Sequence, residues 1–363
     1  MKKQHTFLQR LFFAVCAIAV PGSLAAQDRS QADSQQHVAK GPEQRRAIPV
    51  LLRHEDTAPD QKLASLLESL SKRHAGNMTR ERLPDVIRAA GEDWRLDVFG
   101  DGSGAEFLDQ AAADRSHHFG VEPSKAMSTR ALASAGRAYV ERYLAKVIVL
   151  QPGERLVPVA TSFRTEGGIG RDGSNAYSAI VANRVIFGRE IDGIPVVGAG
   201  SKVTITFLND GTVESFRYDW PVYSHTGRVQ QLAPSREILQ RIRRVAAART
   251  KTDLSGPIAE SGDIESMSKP LPLSDRVHLQ DVKCGYYDPG YRNRDPRAPV
   301  QAGCYYHVLH TGGSGEYITT AGYSGAVPSA EKPEPDYRWP EANVLSGEVV
   351  KGPLAPCDSG PAE

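Results

Sequence analysis

The sequence lacks the linear signatures of most catalytic sites. It contains no His-Glu-x-x-His zinc motif, no Gly-x-Ser-x-Gly nucleophile elbow, no phosphate-binding loop ending in Lys-Ser or Lys-Thr, and no dinucleotide fingerprint after a strand. The glycine-rich residues 100–104 lie between two short alternating runs, so a turn explains them better than a ligand loop. We therefore expect no cofactor and favour a non-enzymatic protein. A hydrolase whose site is built from dispersed residues stays open as the alternative.

No hydrophobic run is long enough to cross a bilayer, which takes about 20 apolar residues in a helix. A shorter run, residues 11–20 (LFFAVCAIAV), follows three basic residues and is ended by a Pro-Gly pair. Ser23–Ala26 then offers small residues to signal peptidase. This order is typical of a secretory signal peptide, residues 1–26, cleaved near Ala25 or Ala26. We expect a secreted or, in a bacterial host, periplasmic protein.

The mature chain carries little net charge. The full sequence has a formal charge of +1, and cleavage removes three positive charges, which leaves about −2. Nucleic acids and anionic membranes attract clusters of basic residues, and a chain near neutrality offers no such attraction. We therefore expect no nucleic-acid partner and no integral membrane segment after cleavage.

Cysteine is scarce, with four in 363 residues and one of these inside the predicted signal peptide. Cys284 and Cys304 lie in matching contexts (CGYY and CYYH), as if on two strands, and an oxidising compartment favours their pairing. In the chain-entropy model, closing this loop stabilises the fold by about 3 kcal/mol. Cys357 is left over, free or intermolecular. The cysteine and histidine spacings match no zinc pattern, so we predict no metal site.

Composition and periodicity divide the mature chain into five segments. Residues 27–47 are polar and predicted to be a disordered spacer, and proline enrichment marks the tail. The predicted segments are the spacer 27–47, an N-terminal helical and hairpin region 48–120, a first α+β unit 121–225, a second unit with the disulfide 235–328, and the Pro-rich tail 329–363.

Apolar periodicity predicts the secondary structure. Residues spaced three or four apart predict helices over 60–72, 79–87, 124–147 and 235–249. Alternation and turn residues predict a hairpin over 94–108 and strands over 156–164, 176–191, 194–208, 212–220, 276–287, 303–310 and 317–322. A helix followed by strands thus occurs twice, which suggests two similar units in tandem.

Tyrosine and arginine cluster around the predicted disulfide. These side chains are among the most enriched at binding hot spots, because each combines a large contact area with a polar group. The alternative is that alternate tyrosines belong to the core and the arginines keep a long loop soluble. The candidate partner-binding residues are Tyr286, Tyr287, Tyr291, Arg292, Arg294, Arg297 and Tyr305.

One segment, about residues 183–220, resembles the PepSY and thermolysin-propeptide type of module. The resemblance lies in residues 187–198 (FGREIDGIPVVG) and 203–216 (VTITFLNDGTVESF), where a strand enters a Gly-Ile-Pro-Val turn and an alternating strand ends in an Asp-Gly turn. The resemblance implies a cystatin-like helix on a curved antiparallel sheet and a role in inhibiting or chaperoning secreted proteases, or in binding ligands. No protease catalytic domain follows in this chain.

Together these observations predict an α+β protein in which a helix packs on a curved antiparallel sheet, with two such units in tandem. The predicted function is a secreted non-enzymatic binding module for a protein or peptide, with a secreted protease as one candidate partner. The alternatives are the hydrolase named above and a surface structural protein cross-linked through Cys357.

Overall fold

The computed structural model describes most of the chain between residues 47 and 351. The described residues are 47–54, 58–70, 77–168, 177–250, 252–254, 270–294, 298–312, 318–332 and 344–351. The predicted signal peptide, the spacer except Ala47, and most of the predicted tail with Cys357 lie outside them, as does Arg297.

The described residues form sixteen strands and four α-helices. The strands are β1 (Ala47–His54), β2 (Thr79–Arg82), β3 (Val86–Ala90), β4 (Trp94–Phe99), β5 (Gly104–Asp109), β6 (Glu154–Gly168), β7 (Tyr177–Ile191), β8 (Ile194–Val197), β9 (Lys202–Leu208), β10 (Val213–Asp219), β11 (Val222–Gln231), β12 (Leu271–Ser274), β13 (Val277–Tyr287), β14 (Gln301–Gly312), β15 (Ile318–Pro328) and β16 (Val344–Lys351). The helices are α1 (Pro59–Leu70), α2 (Gln110–Arg115), α3 (Thr129–Tyr139) and α4 (Ser235–Thr250).

The predicted α+β class is wrong. Strands make up most of the described structure, and its helices are short. Strands from both predicted units belong to one hydrogen-bonded path, in the order β16-β15-β14-β13-β8-β7-β9-β10-β5-β4-β3-β2. The arrangement is therefore an extended, mainly antiparallel sheet system and not two helix-on-sheet units. Local periodicity cannot reveal this, because it reports each element and not which strands become neighbours.

The predicted helix over 79–87 is also wrong, because these residues form β2, a turn and the beginning of β3. Pro84 interrupts the run, and a proline at this place favours a turn over a helix interior. Beyond the turn, burial alternates along β3, with Ile87 and Ala89 inside. The neighbouring β4–β5 hairpin is confirmed, with Trp94 opposite Asp109 and Val98 opposite Ala105.

The largest core lies between this part of the sheet and the helices α1 and α3. Leu63 and Leu66 of α1 contribute to the same cluster as Phe107 and Phe187 from the strands, and all four are almost fully buried. The predicted helix over 124–147 is shorter than expected. It begins after Ser128, whose hydroxyl accepts a hydrogen bond from Ala131 N, and a π-helical turn (Val140–Leu144) follows it.

A second core lies beneath α4. This helix matches its prediction and turns Ile238, Leu239 and Ile242 toward Leu279 and Val308 of β13 and β14. Strand β8 connects the two parts of the sheet, because it pairs antiparallel with β7 and parallel with β13, where Tyr286 lies opposite Val196. The predicted strand 194–208 is accordingly split at residues 198–201, where Gly198 and Ser201 adopt positive φ angles of 98° and 52°.

Strands β1 and β11 form a separate two-stranded ribbon. Three residues of β11, Thr226, Gly227 and Arg228, stand opposite Val50 alone, because the register shifts between Pro49 and Leu51. Gly227 has a φ of 76° in this bulge, a conformation that favours glycine. Among the described residues, no helix is long and apolar enough to cross a membrane.

Candidate functional site

The predicted disulfide is confirmed. Cys284 of β13 and Cys304 of β14 are bonded and lie directly opposite each other in the antiparallel register. The bond closes the connection between these two strands, and Cys304 is fully buried in the core beneath α4. Residues 285–303 are called the stapled loop below.

The structure places the candidate binding residues in very different environments. Tyr286 and Tyr287 are buried, and Tyr305 is half-buried beside Tyr287 and Val197. Arg292 is exposed. Tyr291 stacks on Phe99 with ring centroids 4.5 Å apart, and its hydroxyl donates to Asp85 O at 2.5 Å. That these residues bind a partner stays a prediction, and among the described members of this group only Arg292 is exposed.

The side chain of Arg294 is buried, and its guanidinium meets a buried carboxylate. Asp288 is fully enclosed and accepts five hydrogen bonds. Arg294 donates to it through Nε (2.9 Å) and Nη2 (3.0 Å). The hydroxyls of Ser201 and Tyr223 each donate at 2.8 Å, and Gly290 N donates at 3.1 Å. Every acceptor position of this carboxylate is therefore used by the protein itself.

A second carboxylate shares the same guanidinium. Asp219 Oδ2 accepts from Arg294 Nη2 at 2.6 Å and from Tyr291 N at 3.0 Å. Its other oxygen is buried and has no hydrogen-bond partner among the described residues. Arg294 Nη1 also donates to Ser103 Oγ at 3.1 Å and lies 3.7 Å from Asp101. Asp288, Arg294, Asp219, Ser201 and Tyr223 are called the Asp288 network below.

The two carboxylates of the network titrate differently. Burial raises the pKa of Asp219 to about 6, since the favourable charge of Arg294 is offset in part by the nearby Asp288. Burial also opposes ionisation of Asp288, but the charge and hydrogen bonds of Arg294 outweigh it and hold the pKa of Asp288 well below its ordinary value. The charge of Arg294 thus keeps Asp288 ionised but leaves Asp219 able to take up a proton.

Two glycines allow the network to form. A Cβ atom on Gly200 would lie 2.2 Å from Cγ of Asp288, and one on Gly198 would lie 2.4 Å from the Asp288 carbonyl oxygen. The backbone here is held by Gly200 N donating to Asp288 O at 3.0 Å and Asp288 N donating to Val197 O at 2.9 Å. At these two positions the chain between β8 and β9 therefore fits against the stapled loop with no space for a side chain.

A second buried ion pair lies beside the network. Arg189 is 1% exposed, pairs with Glu154, and donates to Pro221 O at 2.5 Å. Its guanidinium lies 4.7 Å from the ring centroids of both Trp220 and Tyr223. Tyr223 therefore contacts both charge clusters, one through its ring and one through its hydroxyl.

An open cleft lies on another face of the stapled loop. It has a volume of about 320 Å³ and separates β11 from the start of β14 and from residues 331–332. Its lining residues, called the β11 cleft below, are Val50, Arg228, Val229, Gln230, Gln231, Pro299, Gln301, Glu331 and Lys332.

The cleft exposes an edge of β11. Strand β11 has one strand neighbour among the described residues, β1. On its other edge the chain makes a bridge between Leu232 and Ala330, and Glu331 N donates to Gln231 O at 2.9 Å. Toward Arg228 no strand of the described chain pairs with this edge, and the cleft lies beside it.

No protein-family model matches the chain, and a search of curated proteins finds no significant match. The function of the site is therefore inferred from its geometry.

The β11 cleft is lined by amides and by charges of both signs. Gln230 Nε2 donates to Gln301 Oε1 at 3.3 Å, and Gln230 Oε1 accepts from Ala302 N at 3.0 Å. Within the described ranges, Arg228 and Lys332 form no ion pair, and neither does Glu331. Val229 is 61% exposed at the edge of the cleft. The surface thus offers the exposed amide of Gln231, two cations, one anion and an apolar contact.

Two serine–histidine contacts bear on the hydrolase alternative. Ser324 contacts the His307 ring at 3.0 Å, but Ser324 is 1% exposed and so is closed to a substrate. His54 Nε2 lies 2.5 Å from Ser224 Oγ on the β1–β11 ribbon, and no carboxylate of the described chain is within ion-pair distance of His54. In the described part of the chain, no three His, Cys, Asp or Glu side chains are arranged to hold a metal ion.

Sequence reasoning did not identify the Asp288 network or the β11 cleft. Asp288, Asp219 and Tyr223 are single polar residues at strand ends, and no linear pattern connects them. Residues 226–231 (TGRVQQ) carried a weak signal, since a glycine inside an alternating run indicates a bulge.

Proposed function

We propose that this protein is a secreted, non-enzymatic binding module that recognises another protein or a peptide through the β11 cleft. The observation that carries the proposal is the edge of β11 beside the cleft, which pairs with no strand among the residues that the structure describes. Unpaired strand edges are sites where other chains add, and proteins generally cover or charge them unless they are used. The predicted signal peptide supports secretion.

The exposed valine in the cleft also supports the proposal that the cleft binds a protein or a peptide. Val229 is 61% exposed, and it lies at the edge of a concave surface. Apolar side chains next to backbone edges and charged groups are typical of recognition surfaces, where they supply contact area while the polar groups set specificity.

A secreted protease is one candidate partner, and the resemblance of residues 183–220 to propeptide-type modules supports it. In that case the bound segment would belong to the protease, and the chain would act as its inhibitor or chaperone. This narrower role predicts that the mature protein lowers the activity of a protease captured with it.

The test is capture of a partner from the secreted proteins of the producing organism on the immobilised mature protein, followed by mass spectrometry. The variant Val229→Asp places a charge in the β11 cleft. Val159→Asp is the matched control, because Val159 is an exposed valine on another edge strand, β6, at 41%. We expect a partner that both wild type and Val159→Asp retain and Val229→Asp loses.

Capture that is equal on all three proteins, or no specific capture at all, would contradict the proposal. Thermal melting of each variant ensures that lost capture reflects the surface and not unfolding. A captured protease is then assayed with and without the mature protein to test inhibition.

A further inference from the structure

We infer that the β11 cleft binds an extended peptide segment that carries a carboxylate side chain and adds to the open edge of β11. The inference rests on the proposed function and names the chemistry of the partner. The backbone, the amides, the charges and the apolar contact of the cleft support it.

The backbone of β11 has amide and carbonyl groups that a ligand would meet. Antiparallel strands alternate the directions of their amide and carbonyl groups, so a strand with one neighbour presents part of its backbone to the other side. Strand β11 pairs with β1 on one edge only, and the chain at Ala330 and Glu331 meets its other edge near Gln231 and Leu232. A peptide entering the cleft would pair with β11 beside Arg228 and Val229, where this strand has no strand partner among the described residues.

The side-chain amides of the cleft are of two kinds. Gln230 and Gln301 hydrogen-bond each other, and Gln230 also accepts from Ala302 N while Gln301 donates to Pro299 O, so their groups are used within the protein and their positions are set before a ligand arrives. Gln231 is exposed and presents a donor and an acceptor, which is the combination that a peptide main chain requires. A peptide would therefore meet one available amide beside a wall that is already ordered, which lowers the ordering cost of binding.

The charges favour an acidic side chain. Two cations, Arg228 and Lys332, and one anion, Glu331, line the cleft, and none of the three is neutralised by an ion pair within the described chain. Arg228 follows the Gly227 bulge, and its backbone N donates to Thr226 Oγ1 at 3.1 Å, which fixes the base of the side chain. A carboxylate is the group that an arginine recognises most strongly by paired hydrogen bonds.

The size of the cleft is also consistent with a short segment. A volume of about 320 Å³ lies at the lower end of the range of roughly 300–1,000 Å³ for small-molecule sites. An edge-added strand needs only a few residues inside such a space, since its remaining residues continue along the strand direction. Val229 would contact an apolar side chain of that segment.

The experiment uses a random heptapeptide library displayed on phage, selected on the mature protein and counter-selected on Val229→Asp. We expect the enriched peptides to contain at least one Asp or Glu and to alternate apolar and polar residues. The most enriched peptide is then synthesised with blocked ends, and its affinity is measured by fluorescence anisotropy.

Two changes test the two parts of the inference separately. Arg228→Glu is expected to weaken the peptide at least tenfold, and replacing the acidic residue of the peptide by lysine should restore part of the loss. N-methylation of alternate peptide amides should also weaken binding at least tenfold, because it removes the donors needed for strand addition. Arg130→Glu, a charge reversal on an exposed arginine of α3 that does not line the cleft, is the control and should leave the affinity unchanged.

Enriched peptides without acidic residues, an affinity unaffected by Arg228→Glu, or an affinity unaffected by N-methylation would each overturn the inference. Failure to enrich any peptide, while a partner is still captured through Val229, would also overturn it and leave the proposed function standing. Loss of both capture and enrichment would overturn the two together.

Discussion

The Asp288 network and the β11 cleft lie at two parts of the same loop and use polar residues in opposite ways. In the network, one guanidinium is shared by two buried carboxylates, and hydroxyls and backbone amides complete the arrangement. In the cleft, an arginine, a lysine and a glutamate stand without ion pairs among the described residues. Polar residue content alone therefore does not mark a binding surface, since the difference lies in whether the protein already satisfies the groups.

The largest expected effect comes from breaking the network at its centre. Arg294→Met is expected to lower the free energy of unfolding by about 3–5 kcal/mol, because it leaves the enclosed Asp288 without its counter-charge. Urea denaturation measures the loss. The control Arg292→Ala changes an exposed arginine two residues away and should stay within about 0.5 kcal/mol of wild type. Equal stability of both variants would show that the network does not support the fold.

The next effect comes from opening the disulfide. The double variant Cys284→Ala, Cys304→Ala is expected to lose about 3 kcal/mol, because the unfolded chain regains the freedom of a closed loop whose ends are 20 residues apart. Denaturation with and without a reducing agent measures it. The reducing agent should lower the stability of wild type and leave that of the variant unchanged. A loss of stability in both proteins would show that the effect does not come from this disulfide.

A pH-dependent effect separates the two carboxylates of the network. The pKa of Asp219 is 3.8 in the unfolded chain and about 6 in the fold, so protonation of Asp219 stabilises the fold at low pH, and this contribution is lost as the pH rises from about 4 to 6. Asp219→Asn does not titrate, so its stability relative to wild type should increase by about 1–3 kcal/mol between pH 4 and pH 7.

Thermal or urea unfolding of both proteins at several pH values tests this dependence. The pKa of Asp288 is depressed in the fold, so this group stays ionised in both proteins above about pH 4, and the difference between them in that range isolates Asp219. A difference that is constant with pH would contradict the assignment of a raised pKa to Asp219.

A substitution in the cleft is expected to have the smallest effect on stability and the largest effect on binding. Val229→Asp should change the free energy of unfolding by less than about 0.5 kcal/mol, because the side chain is mostly exposed. Its loss of partner capture would then separate the cleft from the network, where stability and structure change together. A large loss of stability in Val229→Asp would show that the cleft is also a structural part of the fold.

Much of the local structure could be predicted from the sequence. The helices around Leu63 and Ile238 follow from apolar residues three and four apart, and the 94–108 hairpin follows from alternation around a glycine-rich turn. The disulfide followed from two cysteines in matching strand-like contexts. These features depend on residues close in sequence, or on a simple pairing.

What could not be predicted depends on distant partners. Nothing in β8 indicates that four residues join β7 to β13, and nothing near Asp288 indicates that its hydroxyl partners come from Ser201 and Tyr223. The Tyr/Arg cluster near the disulfide looked like one surface in the sequence. In the fold, Tyr286 and Arg294 turn inward while Arg292 stays outside, because the side chains of a strand and its loop divide between the two faces.

The position of Gln301 gives the stapled loop a further consequence. Gln301 lines the cleft three residues before the disulfide-bonded Cys304, and the loop is anchored before it by Arg294 in the network. Val300 N in the same wall donates to Leu51 O at 2.9 Å, so residues 300–304 are held by bonds that do not involve a ligand. Such a wall has little conformational entropy left to lose, so the entropy cost of binding would come mainly from ordering the bound segment. Reduction of the disulfide would then first increase the rate at which the bound segment dissociates.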